Sequence, residues 1–266
     1  MKKYIFMAVA GMLALSSCSN DDNDVQNAPR QMTFTAGFGD EAQTRAALNG
    51  KKVSFDANDK ISILSANNTN TRFTTTEGGA SATFTGTATA DSKFYAVYPY
   101  TAGLALSGTT ISGISIPGNQ SAAASSTCGW DPAAPIAYAT TTGTSLQFHN
   151  ACALLKITND RGVAKFIEVS CNEALTGTFS LDTSSGALTL SGTVSATDKQ
   201  ATVNDVPSGK TIYIAIAPGT KTGLMAFWYD GENFKYKDKT FVTFVAGKIY
   251  DLGNTSEWTE EFSFLP

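Results

Sequence analysis

Apolar residues recur at every second position along most of this chain, and stretches with the three-and-four spacing of an amphipathic helix are hard to find. The pattern predicts an all-β protein. Its first alternating run is Met32-x-Phe34-x-Ala36-x-Phe38, a strand with one face buried in a sheet. Residues 53–64 read as two strand pieces around the turn Asp56-Ala57-Asn58-Asp59, and further strands follow at 71–75, 82–87, 93–98 and 110–116. Glycine, proline and serine separate them at the spacing of a β-sandwich. Residues 121–135 are rich in small side chains and read as a surface loop before a strand at 136–140.

A second series opens at Leu146. From Phe148 to Ile157 both alternating faces are apolar or small, which marks a strand covered on both sides, with residues 165–170 returning antiparallel to it. Strands continue at 177–183, 187–190, 201–203, 211–217 and 224–229, and Asp230-Gly231 has the residues of a type I′ hairpin turn. The simplest division is two tandem β-sandwich domains, 31–145 and 146–266, with no short internal repeat.

The first thirty residues change this picture from a free domain pair to an anchored one. Lys2-Lys3 and the apolar run at 4–15 form the n- and h-regions of a signal peptide spanning 1–17, its apolar part of about a dozen residues being too short to cross a bilayer. Leu15-Ser16-Ser17-Cys18 matches the bacterial lipobox, so Cys18 is the expected site of acylation and the outer membrane the expected anchor. Residues 18–30 form an acidic tether, and its aspartates directly behind the cysteine resemble the signal that sends some lipoproteins to the outer face of the outer membrane.

Charge excludes one class of partner. With a net charge of −4 and only 16% charged residues, no basic surface invites nucleic acid. The 16 phenylalanines and 23 glycines suit short strands and turns. After lipidation Cys128, Cys152 and Cys171 remain, an odd number whose spacing matches no zinc pattern. Cys152 and Cys171 either face each other across a hairpin turning near Arg161-Gly162 or stay as buried thiols.

Candidate chemistry is thin. The turn Asp56–Asp59 lacks the glycine and terminal glutamate of an EF-hand and reads as an Asx-type turn. His149, the one histidine, begins a run of core residues and reads as structural. Glu168, Glu173, Asp182, Asp230 and Glu232 could pair for sugar cleavage, but no spacing singles any of them out. Lys235-Tyr236-Lys237-Asp238-Lys239 reads as a charged edge that blocks strand pairing. Tyr95, Tyr98, Tyr100 and Trp130 are the aromatics a carbohydrate platform would use, although in a sandwich most aromatics are core. The chain therefore reads as a non-enzyme with no cofactor and no metal.

The stretch from Cys18 to Ala46 carries the functional reading. An anchor, a spacer and a strand precede Thr44-Arg45-Ala46, and cutting between Arg45 and Ala46 would free the strand of Met32, Phe34, Ala36 and Phe38. Its loss would leave an open sheet edge and an empty apolar slot that another chain could fill. At the other terminus 14 residues follow Leu252, enough for about 45 Å of extended chain at roughly 3.3 Å per residue. Within 254–266, Trp258, Glu260, Phe262 and Phe264 share one face, and the three aromatics make a candidate donor strand.

Several segments together resemble the fimbrillin family, the type V pilins of Bacteroidales. These are the lipobox leader, Thr44-Arg45-Ala46, Phe55-Asp-Ala-Asn-Asp-Lys-Ile-Ser-Ile-Leu64, Phe94-Tyr-Ala-Val-Tyr-Pro-Tyr100 and Ile114-Ser-Ile-Pro-Gly-Asn-Gln120. In the second half they are residues 146–157, 175–188 and Ala246-Gly-Lys-Ile-Tyr-Asp-Leu252. The resemblance implies two transthyretin-like β-sandwich domains and a lipoprotein carried to the cell surface. It further implies that an arginine-specific protease removes the N-terminal strand, here 31–45, and that a C-terminal strand of a neighbouring subunit replaces it. The implied partners are other fimbrial subunits. A surface-anchored tip adhesin that binds a host glycan or protein is the alternative on the same fold.

Overall fold

The computed structural model describes residues 28–39, 54–121, 131 and 133–259. Cys18, Arg45, Ala46, Cys128, Trp130, Phe262 and Phe264 lie outside these residues, as does the signal peptide. The described strands are β1 (Arg30–Phe38), β2 (Lys60–Ser65), β3 (Asn68–Thr75), β4 (Ser81–Ala88), β5 (Phe94–Tyr98), β6 (Ala105–Ser107), β7 (Thr110–Ile116), β8 (Asn119–Gln120), β9 (Ala137–Thr141) and β10 (Ser145–Asn150). They continue with β11 (Ala153–Asn159), β12 (Ala164–Ser170), β13 (Gly177–Asp182), β14 (Ala187–Leu190), β15 (Gln200–Val206), β16 (Lys210–Ile216), β17 (Gly219–Tyr229), β18 (Phe234–Phe244) and β19 (Ile249–Asn254).

Alternation along the first half closes seven of these strands into a ring, in the order β1-β10-β9-β5-β2-β3-β4. Phe34, Phe55, Phe73, Phe84 and Phe148 fill its interior. The turn at 56–59 is a β-turn closed by the Asp59 N–H on the Asp56 carbonyl at 3.1 Å, not the expected Asx turn: its side-chain bond runs from the Asp56 N–H to the Asp59 carboxylate at 2.8 Å, and Asn58 takes a positive φ of 73°. That carboxylate also accepts the Tyr98 hydroxyl at 2.9 Å, tying the turn to β5.

In the second half two sheets, β16-β11-β19 and β18-β17-β12-β15-β8, enclose a core that includes Leu155, Ile157, Ile167, Val169, Ile214 and Trp228. The division at residue 145 moves: β10 carries Leu146 and Phe148 into the first core, and the second half begins at β11. What reads in sequence as one strand from Phe148 to Ile157 is two, broken at Ala151-Cys152. β11 pairs with β16 and β19, whereas β12 crosses to the opposite sheet between β15 and β17 instead of returning beside β11. This separation keeps Cys152 and Cys171 apart, each buried in a different cluster. Burial pushes the Cys171 thiol's pKa up, which keeps it protonated.

The halves are stitched together by strands from the first that pair with the second. β7 lies antiparallel to β13 in the sheet β14-β13-β7-β6, and β8 runs parallel to β15. The Gln120 amide acts as a further rung: its Nε2 donates to the Ala215 carbonyl at 2.7 Å and its Oε1 accepts the Ala215 N–H at 2.8 Å. A third apolar cluster fills the junction, with Val97 from the barrel, Ile114 from β7, Phe179 from β13 and Leu154 from β11. β5 is apolar on both faces for this reason, one face serving its own core and the other the junction, and on β11 Leu154 reaches the junction from the face that otherwise carries Lys156 and Thr158.

Candidate strand-exchange site

β1 closes the barrel. Arg30–Gly37 pairs antiparallel with Ala88–Ser81 of β4, and Thr35–Phe38 pairs parallel with Ser145–Phe148 of β10. The expected inward set is where the alternation put it: Phe34 and Ala36 are fully buried, and Met32 and Phe38 are partly buried against the same core. Phe34 meets Phe73 and Phe94 edge-to-face at 5.4 and 5.2 Å, and Phe38 stacks on Phe55 at 5.0 Å. Gly86 on β4 makes room for this, since a Cβ there would lie 2.7 Å from the Phe73 ring. Burying Phe34 contributes about 1.5–3 kcal/mol, and its ring contacts about 0.5–1.5 kcal/mol each. A cut in the chain alone therefore leaves β1 seated until something replaces it.

The other end of the chain is held more elaborately than sequence suggests. β19 lies parallel to β11, with Lys156 Nζ 2.6 Å from Asp251 Oδ2 across the pair. A one-turn 3-10 helix at Thr255–Glu257 follows, gripped by the β11–β12 turn. Asp160 accepts the Ser256 hydroxyl and its N–H, the latter at 2.7 Å, and these bonds hold its carboxyl below the usual carboxylate range. Arg161 donates to the Thr255 and Ser256 carbonyls at 3.0 and 3.2 Å. Buried Asn159 accepts the Trp228 indole N–H at 3.0 Å and donates to the Gly162, Val206 and Pro207 carbonyls.

Trp258, expected in the donor strand, is placed in its own sandwich core at 3% exposure, its indole N–H directed to the Leu252 carbonyl at 3.3 Å. Thr259 then forms an antiparallel bridge with Tyr236 on β18, exchanging bonds of 2.9 and 3.2 Å. β18 is the edge strand anticipated from its alternating charges, but Lys235 and Lys237 point inward instead of lying solvated: Lys235 is buried, and Lys237 donates to the Leu252 carbonyl at 2.9 Å. The β17–β18 connection is a four-residue loop, not a two-residue type I′ turn, because the Asp230 carboxylate takes the N–H groups of Glu232 and Asn233.

The other candidate residues do not converge. Glu168 meets Thr202, Glu173 caps Thr222, Asp182 binds Ser184 and Ser185, and Asp230 serves its own loop. His149 is on the exposed face of β10, 5.9 Å from the Tyr138 ring. Tyr95 is buried in the junction and Tyr98 packs on the barrel core, so they present no carbohydrate platform. Sequence reasoning missed the grip of residues 159–161 on 255–256, whose only local signal is the polar run Asn159-Asp160-Arg161.

No curated protein matches the sequence. In fold the chain is similar to a candidate cell adhesion protein from Bacteroides ovatus ATCC 8483, with a TM-score of 0.54 and 12% identity over 88% of this chain and 96% of that one. It is likewise similar to a candidate cell adhesion protein from Bacteroides uniformis ATCC 8492, with a TM-score of 0.54 and 18% identity over 84% of this chain and 92% of that one. At these identities the likeness is one of fold. The sequence itself matches the fimbrillin-like family over residues 44–256, most of its length, and the chain belongs to that family.

Proposed function

We propose that this protein is a structural subunit of a cell-surface fimbria, exported as a lipoprotein on Cys18, cut between Arg45 and Ala46, and polymerised by strand exchange. The observation that carries the reading is β1 itself: it is a terminal strand, it closes a barrel, and its core residues Phe34 and Ala36 are fully buried. In the second half the corresponding first strand, β11, also lies parallel to the last one, but it is covalently continued on both sides. Of these two strands β1 alone can leave after a single cut. The matched family span begins at Thr44, beside the expected cut, and so excludes β1, which supports treating the strand as separate from the working body.

With Trp258 and Thr259 engaged at home, the donor reduces to residues 260–266, anchored by Phe262 and Phe264. The partners are further fimbrial subunits, and no reaction is performed by the subunit itself. Limited digestion of the purified lipoprotein with an arginine-specific protease tests this: a new N-terminus at Ala46 and a ladder of oligomers is expected. Deletion of 260–266 should leave folded monomers that do not chain, and polymers formed by that truncated protein would refute the mechanism.

A second reading, a surface adhesin, is favoured by one observation. Phe166, Tyr229 and Phe234 cluster on the outer face of the five-stranded sheet, with Tyr229 and Phe234 stacked at 4.2 Å and Phe234 44% exposed. Glycan binding lost in Phe234→Ala, by a protein whose Arg45 resists cleavage, would select it.

A further inference from the structure

The register of the five-stranded sheet lays out its outer face in rows. Phe166 of β12, Tyr229 of β17 and Phe234 of β18 stand side by side in the first, Glu168, Phe227 and Tyr236 in the second, and Asp238 closes the third on β18. The other places in these rows, on β12, β15 and β17, hold serine, threonine, asparagine, glutamine and methionine. Among the described residues, no lysine, arginine or histidine occupies a place in them. Lys235, Lys237 and Lys239 of β18 alternate with the outward residues and pair instead with the buried Trp228, Ala226 and Leu224. Lys165, beside Phe166 on β12, lies alongside Gly231 in the hairpin loop.

Rings and carboxylates without a cation make one half of a charge-complementary contact. An aromatic face attracts a cation, and a guanidinium both stacks on a ring and forks onto a carboxylate. The first row suits it: Tyr229 and Phe234 stack at 4.2 Å, Phe166 stands at 45° to Tyr229 with centroids 5.3 Å apart, and Phe234 is 44% exposed. Glu168 follows Phe166 by two residues, about 6.6 Å along the strand and so within reach of a guanidinium lying on that ring. One Glu168 oxygen accepts the Thr202 hydroxyl at 3.1 Å, which orients the carboxylate. Asp238 lies two strands across and one row on, about 12 Å from Glu168 by the strand spacing and rise. A neutral sugar would use the rings, but it gains nothing from the exclusion of every cation.

We infer that this face binds an extended basic segment of another protein. One arginine of the segment lies on the rings of Phe166, Tyr229 and Phe234 beside Glu168, and a second, about three or four positions along, reaches Asp238. The inference rests on reading this face as adhesive and is independent of strand exchange.

The test uses the whole protein and two synthetic peptides, Ser-Arg-Ser-Ser-Ser-Arg-Ser and its analogue with citrulline for arginine, which keeps the shape and removes the charge. Titration calorimetry should show the arginine peptide binding about tenfold or more tighter than the citrulline one. Phe234→Ala and Glu168→Gln should each weaken it about two- to fivefold, the worth of one exposed cation–π contact or ion pair. Glu77→Gln, an exposed carboxylate in the other half, should change nothing. Both variants alter surface side chains, and an unchanged melting temperature would confirm that each is folded. Equal binding of the two peptides, or binding that Phe234→Ala and Glu168→Gln leave untouched, overturns the inference. A protein that ignores the arginine peptide but binds a neutral glycan on an array, in a manner lost in Phe234→Ala, overturns it and leaves the adhesive face standing. Binding of neither overturns both.

Discussion

Replacing Phe34 by alanine tests both the packing of β1 and the proposal that β1 leaves. In the precursor the ring is fully buried, flanked edge-to-face by Phe73 and Phe94. Phe73 packs against Gly86 of β4 and Phe94 holds the other side, so the ring leaves its void inside a closed barrel. A phenylalanine-to-alanine change at such a site costs about 3–5 kcal/mol, and poor relaxation puts Phe34→Ala toward the upper end. That is a large share of the roughly 5–15 kcal/mol that holds a domain together. Urea denaturation of the uncut protein should therefore show a much lower midpoint with an unchanged slope. After cleavage the effect should change character. Under the proposed strand exchange a weakened β1 would be displaced faster, so oligomers should form sooner, yet a polymer from which β1 has left would not contain Phe34 and should match the parent in resistance to urea. A Phe34→Ala precursor as stable as the parent would refute the packing argument, and a polymer weakened as much as the precursor would show that β1 never leaves.

The other expectations follow from contacts elsewhere in the body. Asn159→Ala strands the Trp228 indole N–H and the Val206 carbonyl in the core, at about 1–3 kcal/mol for each group left unpaired, and should appear as a lower melting temperature together with a shifted tryptophan emission. The carboxyl of Asp182 is held at a pKa of about 2 by the Ser184 N–H and hydroxyl, and then by Ser185 and Thr109. Its folded pKa lies below the unfolded value, so its contribution is complete above the ordinary carboxylate range and is lost as pH falls toward about 2. Melting temperatures of Asp182→Asn and the parent should differ at about pH 6 and converge at low pH. Because β7 and β8 belong to sheets of the other half, thermal unfolding should be a single transition, and Gln120→Ala, which breaks the amide rung to Ala215, should broaden or split it in calorimetry.

Local periodicity placed most strands well, because half-buried strands carry their own signature. Residues 110–116 and 187–190 match β7 and β14 at both ends, and Met32 to Phe38 declared the buried face of β1. Partner choice is a different matter. Nothing within 105–120 says that these residues pair with β13 and β15, since that pairing is decided by a junction core drawn from distant segments. The break at Ala151-Cys152 carries no glycine or proline, so Phe148 to Ile157 reads as unbroken. Trp258 shares the parity of Phe262 and Phe264, yet its contact with Leu252 sets it apart, and no pattern of twos reveals such a contact.

The parallel pairing of β1 with β10 constrains when the barrel can exist at all. Its first strand cannot acquire its second neighbour until more than a hundred further residues have been made and brought back beside it. Contacts of such sequence separation are slow to form, because the loop must be closed before the contact is gained. A chain emerging from synthesis or export thus holds the edges of β4 and β10 unsatisfied for a time, open to pairing with whatever strand is near. Covalent attachment of β1 keeps the right strand at high local concentration throughout that interval. By this logic the segment shields the young subunit from its neighbours while the rest of the barrel is being made.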